Sequence, residues 1–254
     1  MKKNVLFLHI PKTAGSSIQT AFLDAEKKNK NLKYFQRGVP GLNDQFSLTY
    51  FKDTNLNINN NNILSGHFVF SEACKNFELF SMVRNTVDLF ISNLYFFYLE
   101  KYKRINWNSE NILKIKENIN FDLNFSKNDF SFISKLIQNN FVNSNIITKT
   151  FAGVPYEKYY LVTEDYKLEE EDYFRAIENL KYFTHIGNTD SVENFLKIIL
   201  NYLPVSSFDY QSVHIFKKDK NFVETIRSLL GDKIKEYNYY DTKILEVIKN
   251  KFNS

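Results

Sequence analysis

Apolar residues near the start of the chain follow two different spacings. Four consecutive apolar residues, Val5 to Leu8, are typical of a short buried strand. Over residues 16–28 the apolar residues recur every three or four positions, as they do on one face of a helix. The two patterns predict a unit of strand, tight loop and helix.

The alternation of strand-like and helix-like segments continues to the end of the chain. The further predicted strands are 63–64, 77–83, 159–162 and 182–186. The further predicted helices are 87–102, 130–151, 168–180, 192–202 and 234–252. This order predicts an α/β fold with a mainly parallel central sheet flanked by helices. We expect one domain, 1–254, with a polar and weakly periodic insertion at about 103–128.

Charge and cysteine usage narrow the class of protein. The net charge of +4 is small for 254 residues, so we expect no nucleic-acid partner. The single cysteine, Cys74, cannot form an internal disulfide, which fits a reducing compartment. No apolar run has the length of a signal peptide core or the roughly 20 residues of a membrane span. We therefore expect a cytoplasmic protein without an integral membrane segment.

The segment between the first strand and the first helix has the composition of an anion-binding loop. It reads His9-Ile10-Pro11-Lys12-Thr13-Ala14-Gly15-Ser16-Ser17. The first N–H groups of a helix have no intrahelical partner, and the helix dipole favours an anion there. Gly15 permits close approach of the backbone, the two serines add hydroxyl donors, and Lys12 adds a cation. The spacing predicts a phosphate or sulfate site.

Two other interpretations of this loop remain open. A serine can simply cap the helix while Lys12 stays solvated. A nucleotide kinase is the other alternative, although the spacing Gly-x-x-x-x-Gly-Lys-Ser/Thr is absent because Lys12 precedes Gly15.

A second segment, from Phe80 to Asn93, can hold another phosphate. Arg84 follows a predicted strand, and Ser92 lies eight positions later in the predicted helix. A guanidinium offers a charged fork to phosphate oxygens. Taken alone, such an arginine is more often a surface ion-pair residue. The assignment of Arg84 to a phosphate therefore depends on the anion-binding loop predicted in the first segment.

Together these segments resemble the sulfotransferase superfamily, in the branch that contains heparan sulfate 2-O-sulfotransferase and chondroitin and bacterial carbohydrate sulfotransferases. Weaker similarity continues through 145–153, 185–190 and the final helix after 237–238. The chain departs from the family's usual pattern at three positions, with Ala14 in place of glycine, Thr86 in place of proline and Leu89 in place of a second arginine.

The resemblance implies a P-loop NTPase-like sulfotransferase fold and the donor 3'-phosphoadenosine 5'-phosphosulfate (PAPS), with adenosine 3',5'-bisphosphate (PAP) as product. It implies that Lys12 stabilises charge on the bridging oxygen, and that Arg84 and Ser92 hold the 3'-phosphate. The residues that it places around the 5' side of the donor are Lys12, Thr13, Ala14, Gly15, Ser16 and Ser17.

Transfer to a hydroxyl also needs a general base. His67 follows the predicted strand 63–64, and open α/β sheets place ligands at the carboxyl ends of strands. Related carbohydrate sulfotransferases carry a catalytic Gly-His at the corresponding place, so the resemblance supports His67. A structural role for His67, or a carboxylate base such as Asp44 or Glu72, remains open. We expect His9 to fix loop geometry, and the spacing of histidines and the cysteine predicts no metal site.

These observations predict an enzyme that transfers a sulfuryl group from PAPS to a hydroxyl of a carbohydrate or glycolipid acceptor. Two alternatives are a nucleotide-, anion- or glycan-binding protein of the same fold without transfer activity, and a P-loop nucleotide kinase. Acceptor identity, regiochemistry and oligomeric state are left open by the sequence.

Overall fold

The computed structural model describes residues 4–37, 62–97, 144–155, 166–207 and 220–252 of the chain. Its strands are β1 (Val5–Leu8), β2 (Lys33–Arg37), β3 (Asn62–Gly66), β4 (Glu78–Val83) and β5 (Phe183–Asn188). Its α-helices are α1 (Gly15–Lys28), α2 (Thr86–Phe97), α3 (Ile146–Ala152), α4 (Glu170–Asn179), α5 (Val192–Leu200), α6 (Lys220–Tyr237) and α7 (Tyr239–Phe252). Short 3-10 turns lie at 72–76, 180–182 and 189–191.

The five strands form one sheet in the order β2-β3-β1-β4-β5, and every pairing is parallel. The central strand β1 pairs with both β3 and β4, with Leu8 opposite Gly66 on one side and Ser81 on the other. The predicted α/β class with a parallel central sheet is confirmed, and the architecture is consistent with a P-loop-like fold. The reversal of strand order beside β1 is the position where open α/β sheets bind ligands.

Both faces of the sheet are covered, which explains the uninterrupted apolar run of β1. Val5 and Phe7 point to one core, where they pack with residues of α1 and α5. Leu6 and Leu8 point to the other core, which contains residues of α3, α4 and α7. All four side chains are fully buried. A strand buried on both faces has no polar positions to alternate with apolar ones.

Several predicted boundaries were wrong. Strand β2 was missed because its exposed positions, Lys33 and Gln36, make it look polar. The segment 234–252 is not one helix, since a turn at Asn238 separates α6 from α7, and the earlier part of α6 was not predicted. The helix predicted over 130–151 does not run continuously to its end, because Asn145 is left-handed and α3 begins after it.

Other predicted features lie outside the described residues. These are the insertion at about 103–128, the strand 159–162 and the parts 98–102 and 130–143 of two predicted helices. Among the helices that are described, none has the length and apolarity needed to cross a membrane.

Helix α3 is tied to α7 through a buried carboxylate. Asp241, at the start of α7, accepts hydrogen bonds from the backbone N–H of Ile147 at 3.1 Å and of Thr148 at 2.7 Å. The Thr148 hydroxyl donates a third bond at 2.7 Å. Burial raises the pKa of Asp241 to about 6, although these hydrogen bonds and Lys149 favour the charged form. The carboxylate thus satisfies the N-terminal amides of a helix that is buried along its length.

We expect Asp241→Asn to destabilise the protein by about 1–3 kcal/mol at pH 7, because an amide N–H₂ would face a donor that the carboxylate now accepts from. Because the folded pKa lies above the ordinary value, the native state binds this proton more tightly. The contribution of Asp241 to stability therefore falls as the pH rises from about 4 to about 6. Asp241→Asn should not show this fall, because asparagine does not titrate. Urea unfolding at several pH values measures both effects.

Asp232→Asn is the matched control, since Asp232 is fully exposed and pairs with Lys235 on its own helix at 3.3 Å. We expect a change within about 0.5 kcal/mol. Equal stability of the two variants would contradict the capping role of Asp241.

Candidate functional site

The loop between β1 and α1 adopts an unusual backbone conformation. Lys12 and Ala14 are both left-handed, with φ of 65° and 62°. Thr13 between them is fully buried, and its hydroxyl donates to the Ile10 carbonyl at 2.7 Å. The bond from Thr13 to Ile10 closes the loop. Residues with side chains seldom adopt positive φ, and such strain is concentrated at functional sites.

The N-terminus of α1 has two features that favour an anion. Its N-cap residue, Ala14, makes no capping hydrogen bond, and its first turn contains no acidic residue. The earliest backbone bonds at this end come from Ser17 and Ile18, whose N–H groups donate to the Ala14 carbonyl at 3.0 and 3.2 Å. The preceding amides, of Gly15 and Ser16, are those a helix leaves for an external acceptor. Ser16 is exposed at this end, whereas Ser17 is buried.

The structure brings Lys12 and Arg84 together across the carboxyl edge of the sheet. Nη1 of Arg84 donates to the Lys12 carbonyl oxygen at 3.4 Å. Burial, and then the charge of Arg84, lower the pKa of Lys12 to about 8. Burial also lowers the pKa of Arg84. A buried lysine whose charge is further disfavoured by a neighbouring arginine forms a site that an anionic ligand would stabilise.

Three further charged residues surround Arg84, and sequence reasoning assigned none of them a role. Asp88, in the first turn of α2, forms an ion pair of 2.6 Å with Arg227 of α6. The charges of Asp88 and Asp190 raise the pKa of Arg84, and the charge of Arg227 lowers it. Asp88 lies inside the motif segment, but Arg227 is 139 positions away and reaches it only because α6 packs against α2. No local pattern could have indicated Arg227.

Ser92 is less well placed than the motif suggested. It lies six residues beyond Thr86, which puts it about 9 Å further along the helix axis. The side chain is buried, and among the described contacts no hydrogen bond joins it to Arg84. Its assignment to the 3'-phosphate stays a prediction.

His67 directly follows β3 and lies beside the loop. Its Nδ1 is 2.9 Å from the His9 carbonyl oxygen, and its ring stacks on the His9 ring with centroids 4.3 Å apart. A carbonyl oxygen can only accept a hydrogen bond, so Nδ1 carries the proton and Nε2 carries the lone pair. This is the tautomer in which Nε2 can act as a base.

Electrostatics keep both histidines neutral. Burial lowers the pKa of His67 to about 4, helped by the charge of Lys12 and opposed by the bond to His9. Burial, then the charges of His67 and Lys12, hold the pKa of His9 well below its usual value. Nδ1 of His9 is enclosed and has no hydrogen-bond partner within the described residues. At physiological pH both imidazole rings are therefore uncharged.

Two carboxylates, Glu72 and Asp44, were the alternatives to His67 as general base. Glu72 is exposed and pairs with Lys75, whose ammonium lies 4.3 Å from the centre of the Tyr182 ring. Tyr182 immediately precedes β5, which places Glu72 at the amino edge of the sheet, opposite to Lys12. Asp44 lies outside the described residues. The described part of the chain contains no cluster of three His, Cys, Asp or Glu suited to a metal ion.

Comparison of the chain with known protein families found no match. Comparison with curated proteins also found none.

We expect Gly15→Ala to destabilise the protein by about 1–3 kcal/mol, because a methyl group at this position would lie 1.7 Å from Nε2 of His9. The His9 ring occupies the space that a side chain at position 15 would need. Urea unfolding measures this loss of stability. The clash would lie at the first residue of α1, which is part of the candidate site.

Gly231→Ala is the control, because a methyl group there meets nothing within 4 Å. Alanine is the better residue inside a helix, so we expect this variant to gain about 0.5–1 kcal/mol. If Gly15→Ala were as stable as the wild type, His9 would not pack on Gly15.

Proposed function

We propose that this protein is a PAPS-dependent sulfotransferase that transfers a sulfuryl group to a hydroxyl of a carbohydrate acceptor. The observation that carries the proposal is the meeting of Lys12, Arg84 and the N-terminus of α1 at one edge of the sheet, with His67 beside them. Such a site suits a ligand that carries two separate anionic groups. PAPS is a ligand of this kind, with a 3'-phosphate and a 5'-phosphosulfate.

Each residue has a distinct role under this proposal. Nε2 of His67 takes the proton from the acceptor hydroxyl as the acceptor oxygen forms a bond to sulfur. The bond between sulfur and the bridging phosphate oxygen breaks, and Lys12 stabilises the charge left on that oxygen. The amides of α1 hold the 5' phosphate, and Arg84 holds the 3'-phosphate, so that PAP remains as the product.

A binding protein without transfer activity is a second candidate, favoured by one observation. A histidine whose pKa is about 4 is a weak base, and general bases work best when their pKa lies near the working pH. An anionic donor beside Lys12 would raise this pKa, because a nearby negative charge favours imidazolium. Transfer activity is therefore expected only if the bound donor restores the basicity of His67.

Calorimetric titration with PAP, with ADP and Mg-ATP as comparators, tests the donor site. We expect PAP to bind most tightly and Arg84→Ala to weaken it about 10- to 100-fold, the range for one hydrogen bond to a charged group, while ADP is little affected. Affinity should fall above pH about 8, because Lys12 must then take up a proton to bind an anion.

Lys197→Ala is the control for loss of positive charge, since Lys197 is exposed on α5 and pairs with Glu193 at 3.0 Å. It should leave PAP affinity unchanged. Preference for Mg-ATP over PAP would favour the kinase alternative and overturn the proposal.

His67→Ala tests catalysis separately from donor binding. We expect PAP affinity within about twofold of the wild type and a fall in transfer of about 10²- to 10⁴-fold, the usual contribution of a general base. Single-turnover transfer from labelled PAPS to a panel of sugars supplies the rate.

His185→Ala is the histidine control, because His185 lies within β5 against Phe195 and Phe252. It should retain transfer. Normal turnover by His67→Ala would remove His67 from the reaction and turn attention to Asp44.

A further inference from the structure

The charged groups around Arg84 include a second guanidinium, that of Arg227, which forms a partly exposed ion pair. Arg227 donates from Nη2 to Oδ1 of Asp88 at 2.6 Å. Both side chains are partly exposed, at 56% for Arg227 and 36% for Asp88. Ion pairs of this exposure contribute little to folding, because water competes for both partners. Arg227 can therefore leave Asp88 for a stronger anionic partner at little cost in folding stability.

Asp88 fixes where this guanidinium lies. Asp88 is four residues beyond Arg84 and lies in the first turn of the helix that begins at Thr86. Helix α6 packs along α2, so Arg227 is held at the same end of α2 as Arg84. The charge of Arg227 reaches Arg84 strongly enough to lower its pKa. Arg84 thus contacts Lys12 on one side, and the charges of both Asp88 and Arg227 act on its guanidinium.

We propose that Arg227 is a second ligand of the 3'-phosphate and that Asp88 holds its guanidinium in place until the donor binds. This inference rests on the proposed function. A phosphate dianion accepts charge-assisted, often bidentate, hydrogen bonds from arginine, which are stronger than an exposed contact with a carboxylate. The exchange of Asp88 for phosphate is therefore favourable.

Titration of four proteins with PAP and with adenosine 5'-phosphate tests the assignment. The proteins are the wild type, Asp88→Asn, Arg227→Ala and the double variant. Adenosine 5'-phosphate lacks only the 3'-phosphate. We expect Arg227→Ala to weaken PAP about 10- to 100-fold and Asp88→Asn to tighten it up to about fivefold, the most that an exposed pair of this kind is worth.

The decisive comparison is between Asp88→Asn and the double variant, because neither contains the acidic charge that Arg227→Ala would leave uncompensated. If Arg227 binds the phosphate, the double variant binds PAP at least about 10-fold more weakly than Asp88→Asn. Equal affinities overturn the assignment of Arg227. An equal loss for adenosine 5'-phosphate also overturns it, since the effect would then not involve the 3'-phosphate.

Failure of the proposed function looks different. In that case wild-type protein would bind PAP no better than adenosine 5'-phosphate, and Arg84→Ala would change neither. If instead PAP is preferred and depends on Arg84 but not on Arg227, the donor site stands and only the second ligand is wrong.

Discussion

The parallel pairing of β1 with both β3 and β4 is the constraint on which the candidate site depends. Leu8 lies opposite Gly66 and Ser81, so the three chain segments leave the sheet at the same edge. Residues more than fifty positions apart in sequence become neighbours there. The hydrogen bonds from Arg84 to Lys12 and from His67 to His9 are direct consequences of this register. A shift of one residue in either pairing would point the side chains of a whole strand to the opposite face.

The carboxyl edge of the sheet concentrates positive charge and backbone strain. Burial and the charge of Arg84 lower the pKa of Lys12, burial lowers the pKa of Arg84, and the dipole of α1 adds positive potential at the same edge. Lys12 and Ala14 add backbone strain, and Nδ1 of His9 is buried unpaired among the described residues. Each of these features costs free energy in the ligand-free protein. Their concentration at one edge of the sheet is the pattern expected of a binding site.

The sequence predicted the parts of the site that depend on local patterns. The apolar run of β1, the helical spacing of α1 and the turn-forming Gly15 were all visible in one short segment, and the α/β class followed from repeated alternation. Strand β2 was not visible because it is an edge strand of the described sheet and has exposed polar positions. Asn238 ended a helix that periodicity alone would have continued. Arg227 could not be found, because only tertiary packing brings it to Asp88.

The low pKa of His67 has a consequence under the proposed function. Burial and Lys12 weaken the imidazole as a base, and the bond from Nδ1 to the His9 carbonyl strengthens it. A donor bound between Lys12 and α1 would neutralise Lys12 and bring its own negative charge close to the ring. His67 would then become a competent base only once the donor is in place. Deprotonation of the acceptor would be coupled to occupancy of the donor site, because the same lysine acts on both.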